Sequence, residues 1–129
     1  MDFEITAQKI IEKTLKSGAT ECDVVLAKAS GKSISCRKQK IEDLEESNDS
    51  TIGIRALVDQ KQAFVSSSEV DDDNIETLVN KCVSMAKLAP IDDTAVLGDS
   101  SLFESEIGNL ELHQGEETNT EALIDSVKE

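Results

Sequence analysis

The run from Asp23 to Leu88 most constrains the fold of this chain, because it joins short alternating segments to one amphipathic helix pattern. In each alternating segment, apolar residues recur at every second position, which is typical of strands buried on one face. The predicted strands cover residues 22–27, 33–37, 52–58 and 63–67. Every connection between them is short, so neighbouring strands are expected to pair as antiparallel hairpins.

Turn-forming residues separate the predicted strands. Ser30-Gly31, Ser47 to Ser50, and Asp59 to Lys61 carry the small or polar side chains that favour turns. After the second strand the alternation breaks at Lys38 to Lys40 and resumes out of phase at Ile41. One extra residue in a strand shifts its inward face, so the pattern predicts a bulge or short break near Gln39.

Helical periodicity flanks the strands on both sides. A first helix is predicted from Ile5 to Ser17, with Gly18 in the position that ends helices. A second begins after Asp71 or Asp72, either of which can cap the free N–H groups, and ends before Pro90. Its apolar residues repeat at helical spacing: Ile75, Leu78, Val79, Cys82, Val83 and Ala86.

The character of the chain changes after Pro90. Residues 91–117 are acidic and have no sustained period, while Thr118 to Glu121 resembles a cap that opens a helix through Val127. The sequence therefore predicts a single α+β domain of order α-β-β-β-β-α, with helices packed on one face of an antiparallel sheet and an extended acidic C-terminal segment. We place the domain at residues 1–90 and a linker with the start of a further helix at 91–129.

Charge and cysteine usage exclude several classes of function. Residues 1–40 carry a formal charge of +3 and residues 41–129 a charge of −17. Such an acidic surface repels phosphate, so we expect no direct nucleic-acid binding and no attachment to anionic membranes. Cys22, Cys36 and Cys82 lack the spacing of a zinc site and are predicted to be small core residues in a reducing compartment. With no signal peptide and no apolar run of membrane-spanning length, we expect a cytoplasmic protein.

Residues that carry chemistry are scarce. His113 is the one histidine, so neither a two-histidine metallopeptidase motif nor a cysteine–histidine pair is present. Asp71 to Asp73 and Asp92-Asp93 fit helix capping and a solvated loop better than a cation site. Gly31-Lys32-Ser33 matches the end of a phosphate-binding loop, but a strand is predicted to follow it. We therefore predict no catalytic, cofactor-binding or metal-binding residue in this chain.

Arg55 lies on the opposite face of its predicted strand from Ile54. It is either a buried ion-pair former, with Glu42 as one conceivable partner, or an exposed strand residue. We favour the structural role.

An ordered set of phrases identifies a family. The opening helix ends in Ser17-Gly18-Ala19 and the phrases follow in order: Asp23 to Lys28, Gly31 to Arg37, Ile41 to Glu45, Gly53 to Ala56, Lys61 to Ser67, and Ala89 to Asp93. In this order they resemble the N-terminal domain of the PmbA/TldD family, the metallopeptidase-related modulators of DNA gyrase, and are closer to the PmbA (TldE) branch. The family usually has glycines where this chain has Asp59-Gln60 and Ala63, and near Gln39-Lys40.

The resemblance implies that this chain is a scaffold whose chemistry lies elsewhere. In the family, zinc is bound in the C-terminal part of a TldD-type subunit, which pairs with the PmbA-type subunit and processes or degrades unfolded peptides. The implied partners are a TldD-like subunit and a peptide substrate, and no cofactor is expected in this chain. Four residues are carried over as structural members of the family motifs: Glu42, Gly53, Arg55 and Phe64.

A second hypothesis rests on charge alone. With −17 over its last eighty-nine residues, the chain could act by itself as an acidic module that binds DNA gyrase or another DNA-binding protein. Such binding would depend steeply on salt concentration.

Overall fold

The computed structural model describes residues 2–112 and 119–128. In chain order its elements are helix α1 (Phe3–Lys16), strands β1 (Glu21–Arg37), β2 (Lys40–Val58) and β3 (Lys61–Ser67), helix α2 (Asp72–Leu88), a 3-10 turn (Ser100–Leu102) and helix α3 (Thr120–Ser126). The three strands form one sheet in the order β1-β2-β3. None of the helices within these ranges combines the length and apolar character needed to span a membrane.

The predicted α+β class is confirmed. The structure has three strands where four were predicted, so the element order is α-β-β-β-α, followed by α3. The first two predicted strands are one continuous strand, β1, with Ser30-Gly31 inside it, and Ser47 to Ser50 lie inside β2. Gly31-Lys32-Ser33, whose match to a phosphate-binding loop was set aside, likewise lies within β1. Most side chains of residues 29–48 are exposed. An exposed strand can contain the small polar residues that are otherwise typical of turns, and for this reason the stretch was interpreted as turns.

Two-residue turns close both hairpins. Lys38 and Gln39 connect β1 to β2 where a bulge or short break was predicted, and Asp59 and Gln60 connect β2 to β3 as predicted. All four have positive φ, between 48° and 63°. This pattern belongs to the turn that matches strand twist and favours glycine. Neither turn contains a glycine.

Capping residues set the helix ends. Helix α1 begins at Phe3, two residues before the predicted Ile5, whereas the predicted caps of α2 and α3 are confirmed. The Asp2 carboxylate accepts from the N–H groups of Glu4 and Ile5 at the start of α1, and Gly18 follows its end with φ +107°. The Asp71 carboxylate accepts from the N–H of Asn74, 2.9 Å away, at the start of α2. Ala89, immediately before Pro90, has extended backbone angles and ends α2. The Asn119 side chain caps α3.

By contact density the chain forms two compact units, residues 1–28 with 49–99 and residues 29–48 with 100–129. In the first unit, α1 and α2 cover one face of the sheet. β2 and β3 pair antiparallel with Ile54 opposite Val65 and Ala56 opposite Ala63. The core of this unit is aliphatic, and its fully buried members include Ile10, Ile52, Ile54, Ile75, Val79 and Cys82.

All three cysteines were predicted to be core residues, and only Cys82 is buried. Cys82 is buried between α2 and the sheet, where its thiol donates to the carbonyls of Ile54 and Ala63. Burial raises the pKa of this thiol. Cys22 and Cys36 are only partly buried.

The second unit contains a two-stranded ribbon formed by residues 29–37 of β1 and 40–48 of β2. β3 pairs only with Ile52–Val58 of β2, so it does not extend along the ribbon. Helix α3 lies against one face of the ribbon, where Leu123 lines a small cavity of about 10 Å³ together with Ile34 and Leu44.

The domain boundary at Pro90 and the acidic linker after it remain predictions. His113 lies outside the described residues.

Candidate assembly surface

The sheet face of the first unit that points away from the helices carries three of the four family-motif residues. Residues paired across β2 and β3 share a face, so Arg55 and Phe64 are side by side and Gly53 is opposite Ser66. Val24 and Leu26 of β1 pack on the core, which places Asp23 and Val25 on the other side. We call this set of residues (Asp23, Val25, Gly53, Arg55 and Phe64) the open face.

A two-point ion pair joins β1 to β2 on the open face. The Arg55 guanidinium donates from Nε to Asp23 Oδ1 at 2.9 Å and from Nη2 to Asp23 Oδ2 at 2.7 Å. The hydrogen bonds to Asp23 raise the pKa of Arg55. Both side chains are partly exposed, at 34% and 47%, so the pair fixes geometry more than it adds stability.

Phe64 lies over Gly53. A Cβ added at Gly53 would be 3.0 Å from Cζ of the ring and 3.2 Å from Cε2. A side chain at position 53 would therefore displace the ring by a few tenths of an ångström from the backbone of β2. The ring itself is 60% exposed and Val25 is 65% exposed. The open face therefore presents two apolar groups beside an ordered ion pair, a composition suited to contact with another protein surface.

Glu42 is separate from this group. It belongs to the ribbon of the second unit, where its Oε1 is 3.7 Å from Nη1 of Arg37. The partner of Arg55 is Asp23 and not Glu42. Asp23 alternates with Val24 on β1 as Arg55 alternates with Ile54 on β2, but this alternation indicates their pairing only once the two strands are known to be neighbours.

The acidic clusters have structural partners. Asp71 caps α2, while Asp72 is 2.6 Å from Nζ of Lys9. The hydrogen bond from Lys9 lowers the pKa of Asp72. Asp92 accepts from Thr94 and from the Gln62 amide. Across residues 2–112 and 119–128, no group of three or more histidine, cysteine, aspartate or glutamate side chains is placed to hold a metal ion.

The segment after α2 covers the end of the β2–β3 hairpin within the first unit. The Asp92 N–H donates to the Gln60 carbonyl at 2.8 Å, and the Gln62 amide donates to Asp92 Oδ2 at 3.0 Å. Ala95 in this segment is buried, as is Leu57 on the sheet side away from the main core. The open face is therefore bounded at this end by the chain itself.

Comparison with known proteins gives four concordant matches: a family model, a relative in sequence and two solved structures. Residues 22–86 match the family model for domain 1 of the PmbA/TldA metallopeptidases. The chain is 33% identical over 103 residues to a metalloprotease PmbA homolog of Haemophilus influenzae, covering 80% of this chain and 23% of the relative. The chain thus spans less than a quarter of that relative's length.

Two solved structures share the fold. One is a candidate modulator of DNA gyrase from Bacteroides thetaiotaomicron, with TM-score 0.74 and 20% identity over 81% of this chain and 24% of that one. The other is TldE from Thermococcus kodakarensis, with TM-score 0.64 and 15% identity over 71% of this chain and 21% of that one. At these identities the likeness concerns the fold.

Proposed function

The chain belongs to the PmbA/TldD family through its first domain, and from that membership we propose that it is the N-terminal scaffold and assembly domain of a PmbA-type subunit. The subunit pairs with a TldD-type subunit in a metallopeptidase complex that processes or degrades unfolded peptides in the cytoplasm. Zinc in that complex is bound by the TldD-type partner and supplies the polarised water for peptide hydrolysis. No reaction step is assigned to residues of this chain.

The observation that carries this proposal is the extent of the family match. It runs from Cys22 to Ala86 and so includes the whole sheet except Glu21, and nearly all of α2. Within that span the ordered side chains on the open face are an ion pair and an exposed ring, which are contact groups and not a nucleophile with its base. A domain with this composition supports assembly.

Co-expression tests the proposal directly. The full-length protein that contains this chain is produced with the TldD-type subunit of the same genome, and each is also produced alone. We expect co-elution as one complex, and cleavage of an unfolded peptide by the pair that a chelator abolishes. Two subunits that elute separately, with no gain in cleavage on mixing, would contradict the assembly role.

The second candidate function is an acidic module that binds DNA gyrase. It is favoured by the charge of −17 over residues 41–129. Binding of the chain to gyrase, measured at low and high salt, tests it, since a charge-based complex weakens steeply as salt rises. Absence of binding at low salt excludes this candidate and leaves the assembly role untouched.

A further inference from the structure

The ribbon of the second unit is divided by charge. Residues 29–40, which form its β1 half, the turn and the first residue of its β2 half, hold four of the thirteen Lys and Arg residues and none of the twenty-seven Asp and Glu residues. The remainder of the chain carries a formal charge of −18. A basic strand in so acidic a protein attracts negatively charged groups to one place.

The basic strand is also an edge strand. In the sheet order β1 comes first, so among the described residues it has a strand neighbour on the β2 side alone. Its outer row of N–H and C=O groups is thus available for pairing with another extended chain. Residues 29–33 are all exposed, as is Arg37.

The cations of the ribbon are only weakly neutralised. Nζ of Lys32 is 3.8 Å from Oε1 of Glu46, and the two side chains are 40% and 55% exposed. Arg37, 74% exposed, is 3.7 Å from Glu42. Exposed pairs at these distances contribute little, and within the part of the chain that the structure describes, Lys38 and Lys40 form no ion pair.

The tip of the ribbon forms a shallow concavity of about 280 Å³. Its lining brings together three cations, Arg37, Lys38 and Lys40, with Ile41 and Glu42. A carboxylate side chain at the end of a docked segment would meet these cations.

We propose that the outer edge of β1 between Ala29 and Arg37 pairs with an extended acidic segment of a partner protein. Strand addition supplies main-chain hydrogen bonds, and Lys32, Arg37 and the tip select acidic side chains. A second copy of the same edge would place like charges opposite each other, and their repulsion disfavours pairing between two copies of this chain. The acidic remainder of the chain disfavours nucleic acid. The inference rests on charge and strand geometry and does not depend on the peptidase role.

A synthetic peptide tests this docking site on the 129-residue chain. The probe is a fluorescent twelve-residue peptide that repeats Glu-Glu-Thr, with blocked ends, so that it presents carboxylates on both faces of an extended strand. Binding is followed by anisotropy. The double substitution Lys32→Gln with Arg37→Gln is compared with Lys16→Gln with Lys81→Gln, two exposed lysines of α1 and α2. Both variants have the same net charge, and thermal unfolding checks that both are folded.

The expected result is about fivefold weaker binding for the ribbon variant and no change for the helix variant. On the unsubstituted chain, the same peptide with its four central amides N-methylated should lose binding, because it cannot form strand hydrogen bonds. Equal weakening in both variants, or undiminished binding of the methylated peptide, would overturn the proposal. So would tighter binding of a twelve-nucleotide oligothymidylate, or self-association in sedimentation that the ribbon substitutions abolish.

Discussion

Arg55 and Asp23 are held together by two hydrogen bonds, 2.9 and 2.7 Å long, that join the middle strand of the sheet to its first strand. The two residues are thirty-two positions apart in sequence. Their pairing orients β1 on β2 on the side of the sheet that the helices leave open. Removing one partner leaves the other charge partly buried without its counter-charge, which destabilises the sheet.

We predict that Asp23→Asn lowers the free energy of unfolding by about 1 kcal/mol, because the pair is partly exposed and has two-point geometry. Glu21→Gln, an exposed neighbour on the same strand, should change stability by much less. Urea unfolding at low salt and in 1 M NaCl measures both variants. The effect of Asp23→Asn should shrink at high salt, and equal effects of the two substitutions would contradict the role given to the pair.

The effect of Gly53→Ala on stability should change sign when the Phe64 ring is removed. Alanine is favoured over glycine in a strand, but here its Cβ would be 3.0 Å from the Phe64 ring. Gly53→Ala should therefore destabilise the protein by about 1 kcal/mol with Phe64 present. In a Phe64→Ala background the same substitution should stabilise by about 0.5 kcal/mol. A double-mutant cycle by urea unfolding measures the difference, and equal effects in the two backgrounds would show that the ring does not require the glycine.

The turn between β2 and β3 gives a stabilising substitution. Asp59 and Gln60 have φ of 48° and 62°, a region that costs a side-chain-bearing residue about 1 kcal/mol and glycine almost nothing. We expect Gln60→Gly to raise the free energy of unfolding by about 1 kcal/mol. The carbonyl that accepts from Asp92 is main chain and is retained. Ser66→Gly, at an exposed position within β3, is the control and should destabilise, as glycine does in strands.

The sequence predicted the first unit well because burial there determines the pattern. Ile52, Ile54 and Ala56 alternate with outward residues since one face is covered by helices, and Ile75 to Ala86 repeat at helical spacing for the same reason. The caps Asp71 and Gly18 were likewise readable, because each satisfies a backbone requirement that few residues meet.

The ribbon was not predictable from the same signals. Its residues are exposed on most positions, so hydrophobic alternation does not mark the strands, and Ser30-Gly31 has the composition of a turn while lying in β1. The real turn at Lys38-Gln39 has positive φ at two residues without glycine, which removes the usual signature. The ion pair of Arg55 depends on which strands are neighbours, and the alternation of Asp23 could indicate it only once three strands were known.

Lowering the pH should remove the contribution of the ionised Asp92 carboxylate to stability. Hydrogen bonds from the Thr94 hydroxyl and N–H, and then from the Gln62 amide, hold the pKa of Asp92 below its usual value of about 3.9. A carboxylate with a lowered folded-state pKa stabilises the protein above its unfolded pKa, and this contribution is lost as pH falls through the folded pKa. At pH 7 the Asp92→Asn variant should therefore unfold at lower urea than the unsubstituted chain, and the gap should narrow as pH falls below the unfolded pKa and through the lowered folded pKa. Asp93→Asn, at the exposed neighbouring position, serves as control. A gap that persists unchanged at pH 2 would mean that the Asp92 contacts act through packing rather than through the ionised carboxylate.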